Sequence, residues 1–354
     1  MNDVIEYSTL QQKCINSILD WYKSDKQFYV LAGYAGSGKS TIAKEIRRLV
    51  SPCYFAAYTG KAAHVLREKG ISDASTIHGF LYKCTGKDEN GDPIFTVQDS
   101  GLFGKELLVI DEYSMIGREM LEDILSKCPK VLFIGDPMQL PPIKENEQIL
   151  EPDFFLDEIH RQSLESSIIK WAHEIRNGNM PPIGTKEPGF MVVSKKDVDE
   201  KMIDSVDQVI CGRNDTRTKI NSAMRDFYGF SKKSEYPVVG DKMICRKNNH
   251  NEDLYNGMMF TNTQPVKIKN FSYSIFVNGK YYDAWPADVL GGNVKYDYRS
   301  RLERFEYAYA MTCHKTQGSE FNSVLVYNES WGPNKINWLY TAVTRAKDTC
   351  ILAL

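Results

Sequence analysis

Residues 33–41 read GYAGSGKST and follow the apolar run FYVLAG at 28–33, and no other part of the chain narrows its fold as much. A strand that ends in GxxxxGK[ST] and turns into a helix is a phosphate-binding loop. Gly33, Gly36 and Gly38 let successive backbone N–H groups, that of Ser37 among them, turn inward around phosphate oxygens, and the helix N-terminus adds partial positive charge. Lys39 is expected to reach the β and γ phosphates, Ser40 to ligate Mg²⁺, and Thr41 to belong with them to the nucleotide-binding set. A plain glycine turn would give the lysine and serine no reason to follow in this register. The loop therefore calls for ATP with Mg²⁺.

A second apolar run, ELLVIDE at 106–112, ends in two carboxylates. At the C-terminal edge of a parallel sheet, Asp111 is expected to hold Mg²⁺ and Glu112 to orient and deprotonate the attacking water. The pair turns a nucleotide binder into a hydrolase. These two motifs fit a nucleotide or small-molecule kinase, a GTPase or a ring ATPase equally well, so the distinction must come from elsewhere.

Apolar runs of strand length alternate with amphipathic stretches, which predicts α/β domains built on parallel sheets. FYVLAG, CYFAAYT, ELLVIDE and KVLFIGD belong to a first domain, expected at 1–78 and 106–156. A second series, expected at 157–235 and 306–354, begins with a helix over SLESSIIKWAHEIRNG. It continues through QVICG, TRTKINSAMRDFYG, SVLVYN, NWLYTAVTRAK and TCILAL. Two insertions interrupt these domains. Residues 79–105 contain an Asn90-Gly91 turn between apolar flanks and read as a hairpin. Residues 236–305 carry turn signals at Asn256-Gly257 and Asn278-Gly279, lack helical periodicity and read as a small β barrel.

With 42% hydrophobic and 25% charged residues, the 354-residue chain has globular composition, and it contains no apolar run of membrane-spanning length. Its N-terminus lacks the basic-then-apolar order of a secretory signal, so a cytoplasmic setting is expected. The eight cysteines form no CxxC pair and the six histidines show no zinc-site spacing, which reads as reduced thiols and no structural metal. The formal net charge is only −2, so any polyanion site must be a local groove.

The remaining strings occur in order: IGDPMQLPP at 134–142, IHRQ at 159–162, TCHKTQGSE at 312–320 and YTAVTRA at 340–346. Earlier come STLQQ at 8–12, TGKAA at 59–63 and STIHGF at 75–80. Together they resemble the motifs of the superfamily 1 helicases, most closely the RecD and phage Dda type, over nearly the whole chain. The resemblance implies two RecA-like P-loop domains, with a small hairpin inserted in the first and an SH3-like barrel in the second.

It implies roles as well. Gln11 would read the adenine edge, and Gln139 would sense the γ phosphate and link it to the DNA groove. Arg161 and Arg345 would reach the γ phosphate from the second domain as arginine fingers. Glu320 would take the ribose hydroxyls, and Gly318 would allow close backbone approach. Thr59, His78, Thr312 and His314 match positions near the nucleic-acid track, where they can bond phosphates without reading sequence.

Stacking faces for single-stranded DNA are sought among Phe80, Tyr82, Phe95, Tyr255, Tyr281, Tyr282 and Trp285. An aromatic in a β barrel is core more often than platform. Phe95 is the candidate wedge at a single-strand/duplex junction. Two residues depart from the pattern: Tyr58 stands where proline is frequent, and Tyr113 where a small or aliphatic residue is usual. The resemblance further implies ATP-driven 5′ to 3′ movement on single-stranded DNA, by a monomer without membrane attachment. Replication or recombination proteins are the partner class it points to.

Overall fold

The computed structural model describes residues 7–87, 93–98, 102, 106–141, 150–158, 166–249, 252, 254–291 and 301–354. They divide into two compact units. The first comprises Met1–Lys83, Phe95–Asn179 and Ile336–Thr344; the second comprises Cys84–Ile94, Met180–Lys335 and Arg345–Leu354.

The first unit is built on a six-stranded sheet. Its strands are β1 (Phe28–Gly33), β2 (Cys53–Ala57), β3 (Ser75–Thr76), β6 (Leu107–Asp111), β7 (Lys130–Gly135) and β8 (Phe154–Leu156), in the order β3-β2-β6-β7-β1-β8. All five pairings are parallel. The central strands are buried throughout because helices cover both faces, which is why they read as continuous rather than alternating apolar runs. One face packs with Ile18, Leu31, Ile42, Ile46 and Phe55, the other with Val30, Ile77, Leu81, Ile110 and Phe133. Full burial of each such side chain stabilises by roughly 1.5–3 kcal/mol.

Lys130 is the exception inside β7. Its ammonium donates to the carbonyls of Ser24 and Lys26 at 2.7 and 2.6 Å and lies 4.9 Å from the Trp21 ring centroid, so the buried charge is solvated by protein. Between these elements, β4 (Tyr82–Lys87) and β5 (Pro93–Val97) pair as a two-stranded sheet. The expected turn at Asn90-Gly91 lies outside the described residues.

The second unit holds another six-stranded sheet. It is formed by β9 (Lys186–Glu187), β10 (Phe190–Val193), β11 (Gln208–Cys211), β18 (Ala310–Thr312), β19 (Phe321–Tyr327) and β20 (Ala346–Ala353), ordered β18-β11-β19-β20-β10-β9. Only the β10–β9 pairing is antiparallel. The segment expected at 236–305 forms two three-stranded antiparallel sheets. One contains β12 (Lys242–Cys245), β13 (Met259–Thr261) and β17 (Phe305–Tyr307); the other contains β14 (Lys267–Ile268), β15 (Tyr273–Val277) and β16 (Lys280–Ala284). They share a core of Met243, Leu254, Tyr273, Ile275 and Phe305. The β15–β16 turn places Asn278 and Gly279 at φ +48° and +89°, as its Asn-Gly sequence demands. A short helix, Ala287–Leu290, stands where only β structure is expected.

Grouping by compactness does not follow the limits read from the sequence everywhere. The helix Ser167–Arg176 and residues Ile336–Thr344, both expected in the second domain, group with the first unit. For the former, Tyr34 supplies the reason: the Arg176 guanidinium lies 3.6 Å from the centroid of its ring, and the His173 ring is edge-on at 5.1 Å. Short strands β8, β9 and β10 lack a readable period and were legible only through their pairing.

Gly135 ends β7 against Tyr113, where an added Cβ would meet the ring at 2.7 Å. Gly135→Ala should therefore destabilise the first unit by roughly 1–3 kcal/mol, measured as a lowered unfolding midpoint. In a Tyr113→Ala background, itself less stable because of the cavity, Gly135→Ala should cost less than it does in the parent chain.

Candidate functional site

Parallel pairing makes every strand of the first sheet end on one edge. The loops leaving β1, β2, β3, β6 and β7 carry, respectively, Lys39, Thr59, His78, Glu112 and Gln139, while Asp111 is the last residue of β6. Register fixes their neighbours: Asp111 pairs with Ile134 and Ala57, and Ala32 pairs with Gly135.

At the phosphate loop, Gly36 and Gly38 adopt φ +78° and +84°, in the left-handed region. A Cβ on Gly33 would sit 2.7 Å from Ser37 Oγ and 2.8 Å from Leu156 Cβ, so only glycine lets the chain leave β1 here. Ser37 is buried and its hydroxyl has no hydrogen-bond partner, while Ser40 and Gly36 are exposed. Lys39 Nζ donates to the carbonyls of Gly33 and Tyr34 at 2.7 and 2.8 Å, which holds its charge over the loop. Thr41 N–H donates to the Gly38 carbonyl at 2.9 Å and begins the helix Lys39–Leu49. A glycine-closed loop, an inward hydroxyl and a lysine folded over the backbone fit the phosphates of a nucleotide.

Asp111 Oδ1 accepts the Glu112 N–H at 3.0 Å. Glu112 itself has φ +58°, a conformation costing a non-glycine residue roughly 1–2 kcal/mol, and it turns the chain from β6 into Tyr113–Met115. Strain of this kind concentrates at functional sites. Gln139 is buried, with a partnerless Oε1. An unpaired buried amide oxygen costs about 1–3 kcal/mol, which a donor arriving there would relieve.

Several expected site residues serve the fold locally. Gln11 is buried, and its Oε1 accepts the Ser8 N–H at 3.0 Å in a capping box that starts the helix Thr9–Lys23. Thr59 Oγ1 accepts the Ala62 N–H at 3.1 Å and caps the helix Gly60–Glu68. The departure at Tyr58 leaves its ring packed against the core. His78 stacks on Tyr82 at 5.1 Å and meets Phe95 edge-on at 6.4 Å; Phe95 itself is 51% exposed. Phe80 packs at the core margin and Tyr82 donates to Asp123 at 2.7 Å. Arg161 lies outside the described residues.

In the second unit, β18 ends at Thr312 on one edge of the sheet, whereas Arg345 precedes β20 on the opposite edge. Residues 313–320 connect the two edges. Arg345 is buried and donates to the Ser319 carbonyl at 3.2 Å, so it meets the stretch containing Gly318, whose φ is +72°. Glu320 is half-exposed, 3.3 Å from Lys347. Thr312 is buried, and burial lowers the His314 pKa and favours the neutral ring. Tyr282 is buried in the β core, Lys267 lies 4.0 Å from the Tyr281 ring centroid, and Tyr255 and Trp285 are half-buried.

Asp136, Tyr34, Arg176 and Tyr340 were not singled out by the sequence reading. For Asp136 the available signal was a carboxylate directly after β7. Among the described residues no His/Cys/Asp/Glu cluster could hold a metal, and no helix is long and apolar enough to cross a membrane. The eight cysteines are free; six are buried, Cys53 is half-buried and Cys84 exposed.

Comparison with known proteins agrees with this geometry. The family model described as an AAA domain matches residues 6–188, just over half of the chain, and a UvrD-like helicase C-terminal domain matches 307–353. The ATP-dependent RecD2 DNA helicase of Deinococcus radiodurans is 27% identical over 94% of this chain and 47% of its own length. The ATP-dependent DNA helicase Dda of phage T4 is 30% identical over 48% of this chain and 42% of its own. The chain thus spans less than half the length of these curated relatives. A Bacteroides Pif1 helicase bound to single-stranded DNA shares the fold at TM-score 0.60 and 20% identity, over 99% of this chain and 93% of that one. A Pif1 structure at forked duplex DNA gives 0.65 at 20% identity, over 99% and 92%. The chain belongs to the AAA-domain family, and it is similar in sequence to the RecD2 and Dda helicases.

Beside His314, Lys315 donates to buried Glu306 at 2.9 Å, Arg217 does so at 2.7 Å, and Arg246 also pairs with it. Burial pushes the Glu306 carboxyl up, but Lys315, Arg217 and Arg246 outweigh it and hold the pKa below its ordinary value. A depressed carboxyl contributes stability above its unfolded pKa and loses it as pH falls through the folded one. Acid titration below about pH 4.3, the ordinary glutamate value, should weaken the second unit progressively. Glu306→Gln should flatten that dependence and cost roughly 3–5 kcal/mol at pH 7 by stranding the cations, as read by denaturant unfolding.

Proposed function

We propose that this chain is an ATP-dependent DNA helicase that translocates on single-stranded DNA, moving 5′ to 3′. The observation carrying the proposal is the convergence of Lys39, Asp111, Glu112 and Gln139 on one sheet edge, in an AAA-domain chain similar to the RecD2 and Dda helicases. That edge suits phosphoryl transfer to water, in which positioning and charge stabilisation dominate.

In this reading the backbone N–H groups of Gly36, Ser37 and Gly38 cradle the phosphates, and Lys39 turns from its carbonyls to the β and γ groups. Glu112 takes the proton of the attacking water. Ser40 and Asp111 would hold Mg²⁺, which neutralises developing phosphate charge when bound. Gln11 meets the adenine, Gly318 and Glu320 meet the ribose, and Arg161 and Arg345 stabilise transition-state charge. The domain limits read from the sequence and the SH3-like character of 236–305 belong to the same proposal. Its setting would be cytosolic.

Thr59, His78, Thr312 and His314 contact the DNA backbone, and Phe80 offers a further face for a base. Thr59 can do so by donating its hydroxyl proton, since its helix cap uses only a lone pair of the oxygen, and a neutral His314 bonds phosphate without adding charge. Phe95, with half its surface exposed beside His78, is the wedge for the junction.

The test offers duplexes with a 5′ or a 3′ single-stranded tail. Unwinding from the 5′ tail is expected, and it should vanish in Lys39→Ala. Preference for the 3′ tail would reject the polarity, and strand separation from neither tail despite DNA-stimulated hydrolysis would make the chain a clamp or remodeller. Phe95→Ala should retain DNA-stimulated hydrolysis and lose roughly tenfold or more in unwinding rate, on the scale of one lost stacking contact; normal unwinding would reject the wedge.

A further inference from the structure

Tyr340 is fully buried within the first unit, and its hydroxyl has two partners. It accepts the N–H of Ala35, in the phosphate loop, at 3.1 Å, and donates to Asp136 Oδ2 at 2.6 Å. Asp136 is fully buried as well. Its other oxygen accepts the Met138 N–H at 2.9 Å and its carbonyl accepts that of Gln139 at 3.1 Å. One turn of chain around Tyr340 repeats the attachment: Thr341 Oγ1 accepts the Leu140 N–H at 2.9 Å, and Asn337 donates to the Met138 carbonyl at 3.2 Å. The phosphate loop, the loop carrying Gln139 and the helix Lys335–Val343 thus meet at one phenol.

We infer that Tyr340 is a positioning residue that couples the state of the phosphate loop to the placement of Gln139 and, along the chain, of Arg345. The inference rests on the proposed ATP hydrolysis. Ala35 lies between Gly33 and Lys39, in the stretch whose N–H groups are offered to phosphate, so any movement of that stretch changes the bond it gives to Tyr340. A weaker bond at the phenol changes its hold on Asp136, and the backbone N–H groups that Asp136 gathers are those that set the path to Gln139. Hydrogen bonds in series polarise one another in a buried site, which makes this relay sensitive. Burial and the adjacent Asp136 push the phenol above its ordinary range, so it keeps its proton and remains the donor. Arg345 follows Tyr340 by five residues, so a shift of this segment is passed to it covalently.

The test uses the full chain, with steady-state ATP turnover measured with and without oligothymidine and affinity measured with a fluorescent ATP analogue. Y340F keeps the ring and removes the hydroxyl. It should lower DNA-stimulated kcat roughly tenfold or more while changing KM and nucleotide affinity by less than about threefold, on the scale of one lost hydrogen bond to a charged group. D136N should act similarly, and Y340F/D136N should be no worse than the poorer single variant, because the two act through one bond. Independent, additive losses tracking the unfolding midpoint would make Tyr340 a purely structural residue and overturn the inference. If Y340F folds poorly, 3-fluorotyrosine at position 340 preserves shape and changes donor acidity, and it should move kcat without moving the midpoint. Normal kcat in both overturns the inference while leaving the proposed function intact. A wild type without ATP turnover overturns the proposed function itself, and the inference with it.

Discussion

The structure depends on the close passage of the chain out of β1. Gly33 has no room for a Cβ between Ser37 and Leu156, and from that point the loop must turn through two left-handed glycines into a helix. This places the N-terminus of the helix Lys39–Leu49, and Lys39 with it, at the end of a strand that lies next to β7. Because all neighbouring strands run parallel, each successive loop delivers its polar residues to the same edge. A single antiparallel strand in the middle of the sheet would have carried Asp111 or Gln139 to the far side. The burial of the central strands follows from the same arrangement, since parallel crossovers put helices on both faces.

What this edge holds is more connected than a row of independent ligands. Asp136 and Tyr340 tie the phosphate loop to the loop after β7, and Tyr34 is fixed by Arg176 and His173. Two segments from distant parts of the sequence therefore brace the loops after β1 and β7 in the first unit. Burial makes that bracing specific: an unpaired carboxylate or phenol at these positions would carry a desolvation penalty with nothing to offset it. In the second unit the analogous organiser is Glu306, which gathers Lys315 and two arginines next to the 312–320 segment.

Much of this was legible in the residues. GYAGSGKST and LLVIDE identified their strands and loops, since burial on both faces leaves an unbroken apolar run that ends abruptly in polar residues. The Asn278-Gly279 turn was equally plain, because its backbone angles exclude most other residues. Less legible were the helices Ser167–Arg176 and Lys335–Val343. Their amphipathic pattern announces a buried face but not which unit supplies the cover, and here the cover comes from Tyr34 and Asp136. Gln11 and Thr59 illustrate a second limit. A side chain in a motif-like string can be occupied in capping its own helix, and sequence spacing does not reveal how its lone pairs are divided.

The central claim is that ATP chemistry at this edge is governed by DNA. The most direct measurement is the ATP hydrolysis rate of the purified chain with and without single-stranded DNA, alongside Lys39→Ala. The account predicts strong stimulation by the single strand and loss of turnover in the variant. Turnover indifferent to DNA, accompanied by phosphorylation of a small acceptor, would contradict it.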